Sequence, residues 1–164
     1  MPPAVFEALL EGDGAAAAEL LGARVPADLI AEEADFFRLR LGQMQRDPTL
    51  QEWLVRAIVL RDSREAVGHA GFHGRPGKNG RQDPEAVELG YTIYEPYRGR
   101  GLATETASAL IGWALSEHGI RRFIVSIAPD NEPSLAIARK LGFVQTGELW
   151  DDEDGHELVF ELEW

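Results

Sequence analysis

One stretch of the chain carries, in succession, the two hydrophobic periods that distinguish strands from helices. Apolar and polar residues alternate over Ala86–Tyr94, which is the pattern of a strand with one buried face. Over Ala103–Leu115 the apolar residues recur every three or four positions, which indicates a helix with one apolar face. The connection between them contains Gly99 and Gly101. The sequence therefore predicts a strand that passes through a glycine-rich turn into a helix.

The rest of the chain predicts further helices and strands around this unit. Apolar spacing of three and four residues predicts helices at Val5–Leu10, Ala15–Leu21, Glu32–Gln45 and Ser134–Leu141. Alternation and short apolar runs predict strands at Leu54–Leu60, Ala66–His73 and Arg122–Ile127, and a terminal hairpin of Phe143–Leu149 and His156–Trp164. This order favours an α+β fold, in which one domain over residues 1–164 has a mixed, mostly antiparallel central sheet with helices on both faces.

Length and composition limit the classes of function. A chain of 164 residues, 45% hydrophobic and 27% charged, is typical of one soluble globular domain. Its net charge of −12 argues against binding nucleic acid without sequence preference, because such binding needs a basic surface. No apolar stretch approaches the roughly 20 residues that a membrane-spanning helix needs. The absence of cysteine excludes disulfides and thiolate metal sites, and it is compatible with the cytoplasm, where we expect the protein to act.

The glycine-rich turn has the chemistry of a phosphate-binding site. The backbone N–H groups that begin a helix have no partners within it, and the helix dipole adds partial positive charge. Glycines at 99 and 101 let a ligand approach those amides, and Arg98 and Arg100 add full charges. The turn has no lysine for a P-loop, and Thr104 replaces the third glycine of a dinucleotide-binding motif. On these residues alone, glycines that serve only to tighten the turn remain an alternative.

Three segments together resemble the GNAT acetyltransferase superfamily. Arg98, Gly101 and Ala103 occupy the fixed positions of its R/Q-x-x-G-x-G/A motif. The preceding segment, Glu88–Tyr94, is similar to the fourth strand of that family. Downstream, Asn131–Ser134 and Lys140–Phe143 are similar to its second signature. Among the branches of the family, this chain most resembles the Rim-type enzymes, which acetylate ribosomal-protein N-termini, and their small-molecule relatives.

The resemblance implies a set of residues that bind acetyl-CoA. The turn would hold the diphosphate, the backbone of the preceding strand would meet the pantetheine arm as an added strand does, and one strand N–H would serve as the oxyanion donor. Asn131 would bond the same arm, although it could equally cap a loop. The implied binding residues are Ile93, Tyr94, Arg98, Gly99, Arg100, Gly101, Leu102, Ala103, Thr104 and Asn131.

The family reaction is attack of an amine on a thioester, and it requires a group that accepts a proton. The resemblance implies a base on or near the fourth strand, where Glu88 is the carboxylate; a solvated or salt-bridged carboxylate is the alternative. His73, at the end of the neighbouring predicted strand, is the second candidate base, with a structural histidine as the alternative. His69 and His73 lack a third ligand for a metal, and we predict no metal site.

The leaving thiolate requires stabilisation or a proton. Ser134 occupies the Asn-x-x-Ser position of the Rim-like branch and could hydrogen-bond the sulfur, although it could instead cap the helix that begins near Pro133. Many family members carry a tyrosine acid where this chain has Ala138, so that role is not transferred. The acidic run Asp151–Asp154 could attract a cationic amine, or it could simply be a solvated turn.

The family usually begins with a strand, and none is clear before Val5; Met1–Val5 is either a remnant of that strand or the strand is missing. The expected activity is transfer of acetyl from acetyl-CoA to a primary amine, either a small molecule or a protein N-terminus. A non-catalytic module that binds or senses acyl-CoA is the alternative. A homodimer is left open.

Overall fold

The computed structural model describes residues 1–26, 33–151 and 155–164. Its helices are α1 (Pro3–Leu10), α2 (Gly14–Leu21), α3 (Ala34–Arg46), α4 (Leu102–His118) and α5 (Glu132–Lys140). Its strands are β1 (Val55–Val59), β2 (Ala66–Phe72), β3 (Ala86–Ile93), β4 (Arg122–Ile127), β5 (Val144–Asp151) and β6 (Gly155–Glu163). Short 3-10 turns lie at Pro48–Glu52 and Glu95–Tyr97.

The strands form an open mixed sheet, and the predicted α+β fold is confirmed. β1 pairs with β2 antiparallel, β3 with β4 parallel, and β6 lies antiparallel between β4 and β5. Each predicted element among the described residues is present, with ends that differ from the prediction by at most three residues. Contacts between backbone positions divide the chain into two compact units.

The first unit comprises residues 1–71 and 92–100. Its core packs α1, α2 and α3 with β1, and the Phe6 and Phe37 rings meet edge to face at 5.6 Å. No strand precedes α1 in the part of the chain that the structure describes, so Met1–Val5 is not a remnant of one. Pro3 stands at the first helical position, where its fixed φ favours a helix, and Val5 is completely buried on the helix. The Met1 ammonium donates to the Val55 carbonyl.

The second unit comprises residues 72–91 and 101–164, and it contains most of β3 with β4, β5, β6, α4 and α5. Ala86–Leu89 is buried on both faces, so the expected exposed face of this strand is wrong for its first half. The reason is parallel pairing with β4, in which Glu88 stands opposite Ile124. Strands in parallel pairs are commonly covered on both sides.

Specific residues end helix α4 and begin helix α5 in this unit. α4 is closed by Gly119 at φ 67°. Asn131 is the N-cap of α5, and its side chain accepts a hydrogen bond from the Ser134 N–H at 3.2 Å. Ser134 therefore does not cap this helix, because it is already the third residue within it. The hairpin turn predicted after Asp151 lies, at 152–154, outside the described residues. In the described ranges, no helix is long and apolar enough to cross a membrane.

Candidate active site

A cleft of about 680 Å³ opens in the second unit between the loop after β2 and the ends of β5 and β6. Its lining carries more acidic than basic side chains and includes an exposed tryptophan, Trp150. The polar side chains that line it include His73, Lys78, Glu88, Ser126, Asp151 and Glu157. A cleft of this size and charge can accept a small cationic group.

Glu88 is buried in the wall of this cleft, with a side chain only 4% exposed. The Ser126 hydroxyl donates to its Oε1 at 2.5 Å, and the Gly80 N–H donates to its Oε2 at 2.7 Å. Ser126 comes from β4, two residues beyond the position opposite Glu88, and Gly80 comes from the loop after β2. A solvated carboxylate is thus the wrong description. Glu88 is an ordered, buried hydrogen-bond acceptor.

His73 follows β2 directly and lies beside Glu88. Its Nδ1 is 3.7 Å from Glu88 Oε2, and its backbone N–H donates to the Glu88 carbonyl at 2.8 Å. The imidazole is 46% exposed, which is far more than the carboxylate. The structure therefore brings together the two bases that the sequence predicts, one buried and one accessible from the cleft.

His69 has a separate environment in the first unit. Its ring stacks on Phe36 at 4.6 Å, and its Nε2 is 3.2 Å from Glu33 Oε2. Tyr94 packs edge-on against the same ring, and burial together with the Glu33 charge raises the pKa of Tyr94 to about 12. These contacts make His69 a packing residue. Among the described residues, no group of three His, Asp or Glu side chains could hold a metal ion.

Ser134 has a partner that the sequence did not predict. Its side chain acts on that of Tyr91: burial raises the pKa of the tyrosine above its ordinary value, and Ser134 opposes that rise. In the sequence, Tyr91 falls among the apolar residues of an alternating strand, so its hydroxyl was counted with the core. The sequence signal for this pair is the hydroxyl of Tyr91 itself, because it is a polar group on the apolar face of the strand. Asn131, the other residue of this segment, is exposed.

The glycine-rich turn has the backbone geometry expected of an anion site. Gly99 and Gly101 adopt φ values of 74° and 79°, in the left-handed region. A methyl group built on either would meet no atom within 4 Å, so neither glycine is required by packing. Leu102, Ala103 and Thr104 begin α4, and no side chain caps its N-terminus. The left-handed φ of both residues is enough to favour glycine, and the open space beside them also leaves room for a ligand at the helix N-terminus.

The arginines and the preceding residues complete this segment. Arg98 and Arg100 are exposed, and Arg98 Nε donates to the Ile93 carbonyl at 2.9 Å. The Tyr94 N–H donates to the Val67 carbonyl, and the Tyr94 carbonyl accepts from the Tyr97 N–H, both at 2.9 Å. The added-strand contact of Ile93 and Tyr94 with a pantetheine arm stays a prediction. It would have to share or displace these bonds.

The fold and the turn define a class: α+β proteins with a bare helix N-terminus after a glycine turn. The model of the family described as "Acetyltransferase (GNAT) domain" matches residues 6–144, and the chain belongs to this family. The uncharacterized N-acetyltransferase YjdG of Bacillus subtilis (strain 168) is 33% identical over 113 residues. That alignment covers 69% of this chain and 62% of YjdG, so the chain matches less than two thirds of its relative's length.

Solved structures share the fold. The microcin C7 self-immunity acetyltransferase MccE, in complex with acetyl-CoA and AMP, gives a TM-score of 0.65 at 18% identity, covering 99% of this chain and 89% of that one. A Salmonella typhimurium acetyltransferase that modifies the N-terminal serine of ribosomal protein L7/L12 gives 0.59 at 21% identity, covering 82% and 75%. A ribosomal-protein acetyltransferase is thus among the structural neighbours, and at these identities the likeness shows a shared fold.

Proposed function

We propose that this protein transfers acetyl from acetyl-CoA to a primary amine, and that residues 1–164 act as one N-acetyltransferase domain in the cytoplasm. The observation that carries the proposal is the pairing of Glu88 with His73 in the wall of an acidic cleft. Such a pair can accept the proton that an ammonium must lose before it attacks a thioester.

The residues of the turn fit the diphosphate of acetyl-CoA. Gly99 and Gly101 leave open space where side chains would stand, and α4 begins with no side-chain cap. Backbone amides at a helix N-terminus favour anions through both hydrogen bonds and the dipole. Arg98 and Arg100, next to them in the chain, add charge for the phosphates. Bound there, acetyl-CoA would supply the thioester whose carbonyl carbon receives the amine.

The cleft favours a cationic acceptor. Glu88, Asp151 and Glu157 line it against a single described cation, Lys78. An amine is mostly protonated at neutral pH, so a negative cleft concentrates it before reaction. Both a small-molecule amine and a protein N-terminus carry this charge. The residues of the acidic run at 152–154 lie outside the described part and add nothing to this point.

Ser134 and Tyr91 form the second polar pair in the proposal. Ser134 lowers the pKa of Tyr91 against the effect of burial, so the two hydroxyl groups interact. We assign this pair to the leaving thiolate, whose conjugate acid has an ordinary pKa of about 8.5. A hydroxyl hydrogen-bonded to the sulfur would stabilise the thiolate without itself becoming the acid.

The direct experiment measures release of free thiol from acetyl-CoA in the presence of panels of small amines and peptides. We expect release with at least one cationic primary amine, and we expect Asp151→Asn to raise the KM for that amine while kcat changes little. Raising the salt concentration should increase the same KM, because the Debye length falls below about 8 Å above physiological ionic strength.

Two outcomes would contradict the proposal. Binding of CoA without thiol release from any amine would favour the acyl-CoA-binding module. Absence of both binding and release would leave the family's cofactor unused by this chain. Arg98→Ala is the matched control for the cofactor, since it should weaken CoA binding without touching the acceptor cleft.

A further inference from the structure

Both carboxylate oxygens of Glu88 already accept short hydrogen bonds. One comes from the Ser126 hydroxyl at 2.5 Å and the other from the Gly80 backbone N–H at 2.7 Å. Both oxygens are therefore occupied by donors from the protein before an amine arrives. Burial of the side chain also limits its contact with an incoming amine. Glu88 is therefore poorly placed to take a proton itself.

The two oxygens also differ in what protonation would require. A backbone N–H can only donate, so a proton on Oε2 would face the Gly80 N–H as donor against donor. The Ser126 hydroxyl can rotate to accept, so a proton on Oε1 would first require Ser126 to give up its bond. A buried hydrogen-bonding group that loses its partner is unfavourable. Ser126 and Gly80 thus fix Glu88 in place as a hydrogen-bond acceptor.

His73 has the complementary properties. Its Nδ1 is directed toward Glu88 Oε2 at 3.7 Å, and its ring is 46% exposed. Hydrogen bonds between catalytic groups are often long before substrate binds. Its Nε2 lies on the other side of the ring, beside Gly90, where a built methyl group would come within 3.2 Å. Imidazole has an ordinary pKa near 6.5, which suits proton transfer at neutral pH.

We propose that His73 Nε2 takes the proton from the acceptor amine, and that Glu88, held by Ser126 and Gly80, is the positioning residue that keeps the proton on Nδ1. This inference rests on the proposed acetyl transfer and assigns the base within it. Nε2 first accepts one proton from the bound ammonium and passes it to solvent. The neutral amine nitrogen then forms the new C–N bond to the acetyl carbonyl carbon, and the second proton that it loses passes to Nε2. The C–S bond breaks, the thiolate leaves with the electron pair, and the proton returns through solvent to sulfur.

Other charged groups also face the cleft. Lys78 of the loop after β2 opposes a charge on the imidazole, whereas Asp151 of β5 and Glu157 of β6 favour it, together with Glu88 of β3. The acidic groups outnumber the basic one. A protonated imidazole formed during the reaction would therefore be stabilised by the surrounding cleft as well as by Glu88.

The test is the pH dependence of kcat/KM for the wild type and three variants. The wild type should show a limb that rises with pH through the range where imidazole titrates. His73→Gln should lose this limb and lower kcat by about 10²–10⁴-fold, and added imidazole should restore part of the rate to His73→Ala. Ser126→Ala should keep the limb but lower kcat about tenfold or more with KM unchanged, as expected for loss of a hydrogen bond to a charged group. Ser126→Thr, which retains the hydroxyl, should restore most of it.

The chain offers a matched control histidine. His156 is 44% exposed, nearly the same as His73, and its Nε2 is 2.9 Å from Glu148 Oε2. His156→Gln should leave the rate and the pH profile unchanged. If His73→Gln retains the limb while Glu88→Gln abolishes activity, Glu88 is the base and the inference is wrong.

A second readout does not depend on activity. Nitrogen-detected NMR of labelled histidine should show the proton of neutral His73 on Nδ1 in the wild type, and Glu88→Gln should shift the ring toward the other tautomer. A wild-type proton on Nε2 would overturn the inference even if acetyl transfer is observed. Failure of thiol release with every amine, alongside the expected tautomer, would count against the proposed function and leave Glu88 as the positioning residue.

Discussion

Gly101 and Gly119 occupy the two ends of α4 in nearly the same backbone conformation. Their φ values are 79° and 67°, and neither would bring a built methyl group within 4 Å of another atom. An alanine in this left-handed region costs about 1–2 kcal/mol. Gly101→Ala and Gly119→Ala should therefore lower the free energy of unfolding by similar amounts, both within that range.

The two substitutions should differ in their effect on CoA. Gly101 precedes the first amides of α4, so its new methyl group would stand where a diphosphate approaches. Gly119 follows the last turn, where its N–H already bonds the Leu115 carbonyl at 3.1 Å. Loss of one hydrogen bond to a charged group is worth about 1.5–3 kcal/mol, which is roughly 10- to 100-fold in affinity. We expect that increase in Kd for Gly101→Ala and no change for Gly119→Ala.

Urea denaturation gives the unfolding free energies, and isothermal titration calorimetry with CoA gives the Kd values. The comparison is sharp because each variant serves as the other's control for helix stability. Equal loss of CoA affinity in both variants would show that the effect acts through α4 stability. Unchanged CoA affinity in Gly101→Ala would show that the N-terminus of α4 does not bind the diphosphate.

Two further predictions concern the remaining site residues. Gly90→Ala places a methyl group 3.2 Å from His73 Nε2, closer than an ordinary contact, so the ring must move by a few tenths of an ångström; kcat should fall while the Kd for CoA stays constant, and an unchanged kcat would separate His73 from the reacting amine. Asn131→Ala removes the N-cap of α5, so the unfolding free energy should fall by about 1 kcal/mol. If Asn131 also bonds the pantetheine arm, this variant should weaken CoA but leave adenosine 3′,5′-bisphosphate, which lacks the arm, unaffected; equal weakening of both ligands would contradict that role.

The elements of the fold were predictable because each one is encoded by local periodicity. The strand Arg122–Ile127 matches its predicted bounds, and β3 ends one residue before its predicted end. Helix α4 begins one residue before the predicted apolar spacing and ends three residues after it. Helix α1 begins at Pro3, two residues before its predicted start at Val5, because the fixed φ of proline favours the first helical position. Terminal residues are the least constrained by periodicity, which explains this difference.

The sequence by itself determined the glycine turn, its place between a strand and a helix, and hence the family. Those features are local. A few adjacent residues decide both the positive φ that glycine adopts and the unpaired N–H groups at the start of a helix. Only the tertiary structure decided the burial of Glu88 and its hydrogen-bond partners. Its burial and its bonds to Ser126 and Gly80 depend on residues 38 and 8 positions away, which no local pattern relates. The same holds for the approach of His73 Nδ1 to within 3.7 Å of Glu88 Oε2, which brings together two candidate bases that are separate in the sequence.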